Sequence, residues 1–470
     1  MILGIDLGTQ SVKVVVCDDT LTVKGDYQVG HDVSHPKPGW AEQDPRIWIA
    51  GLARGISRAL SAAGVSGDQI RAIAIAGQLD GCIAVDDRGQ PLHPALIWQD
   101  KRAVDHLPVD PKRLFELTGQ VADASHLAAK AAWLRAHDIH ATAYHQPTSF
   151  LVEYLTGERV LDHAHASTTM LYDLAAKQWS PELCAAFEIR ETQLPRIADA
   201  TAIAGKLRAQ IGLPLGIPVA VGTGDDFSTP LGAGVSTPGH AICAIGTAEV
   251  VGALSTTPQF DPAAEPMVET HAYPTGAFFV ENPGWLSGGA IRWATRLLGL
   301  QSDQELDQLA TIRSSDGVVF IPALAGAMTP IWRANARGTL HGLAASHDRA
   351  HIARAVLEGL AFAARDVIDR LTSMSLPTTS VLLLGGGAKS TIWNQIRADV
   401  LQRPHHVAAR SDSSAIGAAM IAATSIGIYP SLTDAAATAP QPVATFTPQQ
   451  NLDDAYERYR VTVRQLAPMW

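Results

Sequence analysis

The stretch Ile2-Leu3-Gly4-Ile5-Asp6-Leu7-Gly8-Thr9-Gln10-Ser11-Val12-Lys13-Val14-Val15-Val16-Cys17 decides the fold class. Ile2–Ile5 is a short apolar strand and Asp6-Leu7-Gly8-Thr9 carries a glycine turn. Val12–Cys17 is a second, β-branched strand with Lys13 at its start. Two such runs around a glycine turn predict a hairpin. The pattern returns at Ala241–Ile245, Gly246-Thr247 and Val250–Leu254, about half the chain further on. This weak duplication predicts two domains of similar topology.

Each copy is followed by an apolar strand running into glycine. In the first half it is Ala72–Ala76 with Gly77-Gln78-Leu79-Asp80-Gly81, and in the second Val381–Leu384 with Gly385-Gly386-Gly387-Ala388. Helical signals lie between them. Asp44-Pro45 starts a helix whose apolar positions are Ile49, Leu52, Ile56 and Leu60, and Gly64 ends it. Ile352, Val356, Leu360, Val367 and Leu371 form a longer stripe. Strands alternating with helices place the chain in the α/β class. The expected domains are residues 1–235 and 236–470. Pro440–Gln450 reads as a linker to a last helix around Leu452–Leu466.

Composition narrows the function. Apolar residues are 47% of the 470, enough for large cores, and charged residues are 17%, below the ~25% of an average soluble protein. The net charge of −10 provides no basic face for nucleic acid. Cys17, Cys82, Cys184 and Cys243 are scattered without CxxC spacing, which fits a reducing cytoplasm better than a disulfide scaffold. The N-terminus has no basic region or cleavage site, so no signal peptide is expected. The uncharged runs Phe227–Ala248 and Ser413–Thr433 reach membrane length, but Gly, Pro, Ser and Thr break them, and both are expected in the core.

Glycine turns at Gly8, Gly246 and Gly385 each end an apolar strand. Exposed N–H groups in such turns make anion-binding concavities. A single one would be an ordinary tight turn, but three, with Asp6 beside one, favour phosphate. Neither GxxxxGK[ST] nor GxGxxG at a strand–helix junction occurs, which leaves P-loop and Rossmann enzymes unsupported. Without HExxH, CxxC pairs or GxSxG, zinc sites and nucleophile-elbow hydrolases drop out. Ile217-Pro218-Val219-Ala220-Val221-Gly222-Thr223-Gly224-Asp225-Asp226 is the sharpest feature: an apolar strand delivers two carboxylates onto a glycine-rich turn. Asp225 is the functional candidate, and either aspartate could instead cap the helix that follows. His163, His165, His405 and His406 are expected at the surface.

These motifs resemble the FGGY carbohydrate kinases of the actin-like ATPase superfamily over nearly the whole chain. Asp6-Leu7-Gly8-Thr9 through Lys13 is similar to that family's first phosphate motif, and Trp40-Ala41-Glu42-Gln43-Asp44-Pro45 with Trp48 to its W-x-E-Q-D-P-x-x-W segment. Gly77-Gln78 and Trp98-Gln99-Asp100 resemble its sugar-site stretches, Thr156-Gly157-Glu158 its T-G-E segment, and Gly222-Thr223-Gly224-Asp225 its catalytic loop. Gly246-Thr247 is similar to the second phosphate motif and Gly385–Ala388 to the adenosine motif. The longest agreement runs from Gly338-Thr339-Leu340-His341-Gly342-Leu343 through His351-Ile352 to Ala355-Val356-Leu357-Glu358.

Within the family the chain is most similar to xylulokinases, with departures. Gly77-Gln78-Leu79-Asp80-Gly81 carries an acid where they have histidine. Ala325-Gly326-Ala327-Met328-Thr329-Pro330 lacks their Glu-Arg pair, and Trp98–Arg102 with Pro330–Arg333 leans toward the glycerol-kinase style. The resemblance implies two ribonuclease-H-like domains facing a cleft and ATP-dependent phosphorylation of a sugar or polyol hydroxyl, D-xylulose first. It implies Asp225 as base and Mg²⁺ held by Asp6 and Asp225. Gly8, Thr9, Gln10, Lys13, Gly246 and Thr247 would serve the phosphates, and Gly385, Gly386, Gly387, Ala388 and Asn394 the adenosine. Gln78, Leu79, Asp80, Trp98 and Asp226 would bind the sugar. The expected partner is a small sugar or polyol, not nucleic acid or membrane, with a homodimer left open. An actin-like ATPase and a silent sugar-binding regulator are the rival classes.

Overall fold

The computed structural model describes residues 1–410 and 412–470. Two compact units emerge. One consists of Met1–Thr237, Thr270–Phe278 and Asp412–Ala439, the other of Pro238–Glu269, Phe279–Ser411 and Pro440–Trp470. A seven-stranded sheet lies at the centre of each.

In the first unit, Ile2–Leu7 and Ser11–Cys17 form the expected antiparallel hairpin, Ile2 opposite Cys17 and Leu7 opposite Val12. Ile2–Leu7 pairs on its other side, in parallel, with Ala72–Gly77. The order across the sheet is Ile203–Lys206, Pro218–Ala220, Ala72–Gly77, Ile2–Leu7, Ser11–Cys17, Val23–Gly30. The short strand Thr223–Gly224 joins the end of Ala72–Gly77, Thr223 beside Ala76. Side-chain alternation sends Leu3, Ile5 and Leu7 to one face and Gly4 and Asp6 to the other. The first set packs with Trp48, Leu52 and Ile56 of helix Pro45–Ala63. Asp44 caps that helix at Arg46 N–H (3.0 Å), and Gly64 in the left-handed region ends it.

The opposite face is covered from far along the chain. Helix Ser413–Ser425 lies so close that a Cβ on Gly4 would stand 2.1 Å from the Ala415 carbonyl oxygen. Ser228 of helix Asp225–Gly232 donates to the Ser414 carbonyl at 2.8 Å from the other side. Small residues at Ser413, Ala415, Gly417 and Ala419 permit both approaches, and the uncharged run is a buried core helix, as expected. Among the described residues no helix is long and apolar enough to cross a membrane.

The second unit repeats the pattern. Ala241–Ile245 and Ala248–Ser255 form a hairpin, and Ala241–Ile245 pairs in parallel with Val381–Leu384. Helix Arg349–Ser373, capped by Asp348, buries Val356, Leu360, Val367 and Leu371 against Trp393 and Ile396 of helix Thr391–Leu401. Tyr459 and Val463 of helix Asp453–Leu466 complete that core.

Two expectations are corrected. The stretch read as a linker contains strand Ala444–Phe446, antiparallel to His405–Val407. It satisfies the open backbone edge of that strand, a need no local composition reveals. His165 and His405 are buried, not at the surface. His405 is the inward position of its strand, and burial pulls its pKa down to about 3. No disulfide joins the four cysteines, and all are buried.

Candidate active site

The first unit gathers four carboxylates at the ends of its strands. Asp6 closes the apolar part of its strand on the face covered by helix Ser413–Ser425, and Ser414 Oγ donates to Asp6 Oδ1 at 2.9 Å. Burial pushes the Asp6 pKa up to about 6, against the Ser414 hydrogen bond and the charge of Lys13. Lys13 is Asp6's register neighbour across the hairpin; its ammonium pairs with Asp412 and lies 3.8 Å from Asp26.

Asp225 and Asp226 open helix Asp225–Gly232, with Gly224 as the capping residue. Their glycine loop fits only one way. A Cβ on Gly222, at φ +79°, would stand 2.1 Å from the Ile75 carbonyl oxygen. Burial, then the charges of Asp226 and Asp6, hold the Asp225 carboxyl well above the usual range. Burial and Asp80 raise Asp226 to about 6, opposed by His271 and His165. Asp6, Asp225, Asp226 and Asp80 thus form one interacting series.

Asp80 differs from the other three. Its backbone is left-handed, φ +56°, a conformation uncommon outside glycine. Gln146 Oε1 accepts its N–H (3.0 Å), and its carbonyl accepts from Lys130 Nζ (2.6 Å). His126 Nδ1 lies 3.1 Å from its carboxylate. Burial would raise its pKa, but His126, Lys130 and His271 hold it below the ordinary carboxylate value.

The turn at Gly8–Thr9 is tied to Gln78 through Gln43. Gln43 Nε2 donates to the Thr9 carbonyl (2.7 Å), while its Oε1 accepts from Trp48 Nε1 (3.2 Å) and Gln78 Nε2 (3.0 Å). Trp98 Nε1 donates to Thr9 Oγ1 at 2.9 Å, so its N–H is spent on the turn. Gly8 N–H closes the turn onto the Ser11 carbonyl (2.9 Å), and Gln10 is exposed beside it. Gln78 is buried, and among the described residues its Oε1 has no hydrogen-bond partner. Leu79 is also buried and packs against Gly224 of the loop that carries Asp225.

The second unit holds the remaining candidates. Gly246 and Thr247 are exposed at the hairpin turn. Their carbonyls accept the N–H groups of Gly288 (3.2 Å), Ser287 and Gly289 (both 3.0 Å), and Thr247 Oγ1 accepts from Arg292 (3.1 Å). Gly385, at φ +83°, carries the chain past the Ile245 carbonyl, and beside Gly386 a side chain would meet open space. Gly387 packs on Ile245. Asn394 is buried and donates to the Ala388 carbonyl at 2.8 Å, bracing the loop. Behind it Arg397 makes a buried two-pronged pair with Glu249, 2.6 Å in each prong.

Sequence reasoning left out His126, Lys130, Gln146, His271 and Ser414. Lys130 had a signal, a lone cation in the apolar stretch Leu127–Leu134. Ser414 had none, since its partner lies at the other end of the chain. Among the described residues no group of three or more His, Cys, Asp or Glu is placed to hold a metal ion. Asp6 and Asp225 supply two hard oxygen donors whose charges oppose one another, and that pair fits a hard divalent cation completed by phosphate and water oxygens.

Comparison with known proteins identifies the family. The profile of the FGGY family of carbohydrate kinases, N-terminal domain, matches residues 1–232, and that of its C-terminal domain matches residues 241–426. A glycerol kinase of Alkalilimnicola ehrlichii is 32% identical over 91% of this chain and 90% of its own. A xylulose kinase of Escherichia coli is 30% identical over 85% and 84%. The crystal structure of a xylulose kinase from Rhodospirillum rubrum superposes with a TM-score of 0.91 at 28% identity, covering 100% of this chain and 99% of that one. Matched along both halves of its sequence, the chain belongs to the FGGY family of carbohydrate kinases.

Proposed function

We propose that the chain transfers the γ-phosphoryl group of ATP to a hydroxyl of a small sugar or polyol, with Asp225 as the base. One observation carries the reading. Asp225 sits on a rigid glycine loop beside Asp6 and Asp226, and among the described residues no arginine or lysine pairs with it. A carboxylate kept basic in this way suits proton removal near neutral pH. Asp225 takes the proton of the acceptor hydroxyl as its oxygen bonds to phosphorus and the bond to the departing ADP oxygen breaks. The remaining work is positioning. The turns at Gly8–Thr9 and Gly246–Thr247 hold the phosphates, and Gly385–Ala388, braced by Asn394, holds the adenosine. Asp6 and Asp225 would hold Mg²⁺, which would neutralise charge at the phosphate oxygens.

Asp80, Asp226 and Gln78 Oε1 accept hydrogen bonds, so the acceptor substrate presents several hydroxyls to them. Likeness to xylulose kinases makes a pentulose such as D-xylulose the first acceptor, and likeness to glycerol kinases makes a polyol the second. ADP release measured with D-xylulose, xylitol and glycerol tests the function. Release that depends on one of them is expected, and full-rate release without any acceptor would replace the reading with a simple ATPase.

A further inference from the structure

Asp162 is a buried carboxylate that the reaction as described does not use. It ends strand Val160–Asp162 and caps the short helix His163–Ala166. Capping alone needs one acceptor oxygen, which Asn, Ser or Thr supplies equally well. Here both oxygens are engaged. Oδ1 accepts His165 N–H at 3.1 Å and lies 3.4 Å from His165 Nδ1, while Oδ2 accepts the Thr223 hydroxyl at 2.7 Å. Among the described residues no lysine or arginine pairs with it. Burying a carboxylate without a cation is costly unless its hydrogen bonds are kept. Asparagine could replace both bonds, accepting His165 N–H and donating its NH₂ to the Thr223 hydroxyl, whereas alanine makes neither.

Thr223 stands two residues before Asp225. Its carbonyl accepts the Thr148 hydroxyl at 3.3 Å, and its strand pairs with Ala76–Gly77. Gly222 N–H also donates to the Ala200 carbonyl (3.1 Å), and the bond to Asp162 is the tether made by the Thr223 side chain. The same region is linked to the sugar side, because Gln146 holds Asp80 N–H with its Oε1 and the His165 carbonyl (2.9 Å) with its Nε2. The geometry points to Asp162 as a positioning residue that, through Thr223, holds the Asp225 carboxylate where it meets the acceptor hydroxyl. This rests on Asp225 being the base. Misplacement of a reacting group by about 1 Å can cost ~100-fold in rate.

Asp162→Ala and Thr223→Val are compared with Thr223→Ser, which keeps the hydroxyl. Steady-state ADP release is measured on the most active acceptor, together with hydrogen exchange at residues 222–226 in the free protein. The first two variants should each lower kcat roughly 10- to 100-fold, leave the KM for ATP within about twofold, and exchange faster across the loop. Thr223→Ser should restore most of the rate and the protection. The Asp162→Ala/Thr223→Val double variant should be no slower than the worse single one, because both cut the same bond. Unchanged kcat in Thr223→Val, or losses that multiply in the double variant, would overturn the assignment. So would a fall in thermal stability without faster loop exchange. Failure of the unaltered chain to release ADP with any acceptor would instead overturn the kinase reading, and the exchange measurement, needing no substrate, separates the two.

Discussion

Asp225 and Asp80 are both partly buried acids with opposite electrostatic surroundings. Asp225 has carboxylates for neighbours and is pushed up; Asp80 has His126, Lys130 and His271 and is held down. The difference supports the proposed roles, proton transfer for the first and accepting hydrogen bonds for the second. Asp225→Asn keeps the shape and removes the base, so kcat should fall at least about 100-fold with the melting temperature little changed. Asp80→His would replace an acceptor with a group able to donate to a ketose carbonyl. Loss of a hydrogen bond to a charged group costs about 1.5–3 kcal/mol, so the ratio of kcat/KM for D-xylulose over xylitol should rise tenfold or more. An unchanged ratio would remove Asp80 from the acceptor site.

Helix Arg349–Ser373 and helix Asp453–Leu466 meet around Asp366, whose carboxyl accepts the Tyr456 hydroxyl at 2.6 Å. Burial raises its pKa from 3.8 to about 7, so the folded state favours the neutral acid. That contribution is fully present below about pH 4 and is lost as pH rises through 7. It amounts to on the order of 4 kcal/mol, at 1.36 kcal/mol per pKa unit. Asp366→Asn should flatten the stability profile between pH 4 and 7 and leave the variant relatively more stable at pH 8, measured by urea midpoints. The adenosine-motif turn permits a second test of an element. Gly386 faces open space that adenosine is proposed to fill. Gly386→Val should therefore weaken ATP binding strongly while the melting temperature holds, since its side chain clashes with nothing in the free protein.

The first unit is not a continuous piece of chain. Its sheet face at Gly4 and Asp6 is covered by helix Ser413–Ser425, contributed from beyond the whole of Phe279–Ser411. A fragment of residues 1–237 should therefore expose the β-sheet face that this helix buries and show no cooperative thermal transition. Adding residues 412–439 through a flexible linker should restore one. A sharp transition in the short fragment alone would show that the helix is dispensable.

Much of this was open to reading in one dimension. The Ile2–Cys17 hairpin, its copy at Ala241–Leu254 and the helix Pro45–Ala63 rest on interactions between near neighbours, where alternation, glycine turns and caps act directly. The same holds for Asp225 on its glycine loop, because strand, turn and acid are consecutive residues. Tertiary folding was needed wherever a partner is remote in sequence. Ser414 on Asp6, Lys130 under Asp80 and Asp162 behind Thr223 are such cases. So are the burial of His165 and His405 and the edge strand Ala444–Phe446. Hydrogen bonds and charge shifts depend on distance in space, and a chain that returns across its own sheet brings together groups whose spacing along the sequence carries no trace of the contact.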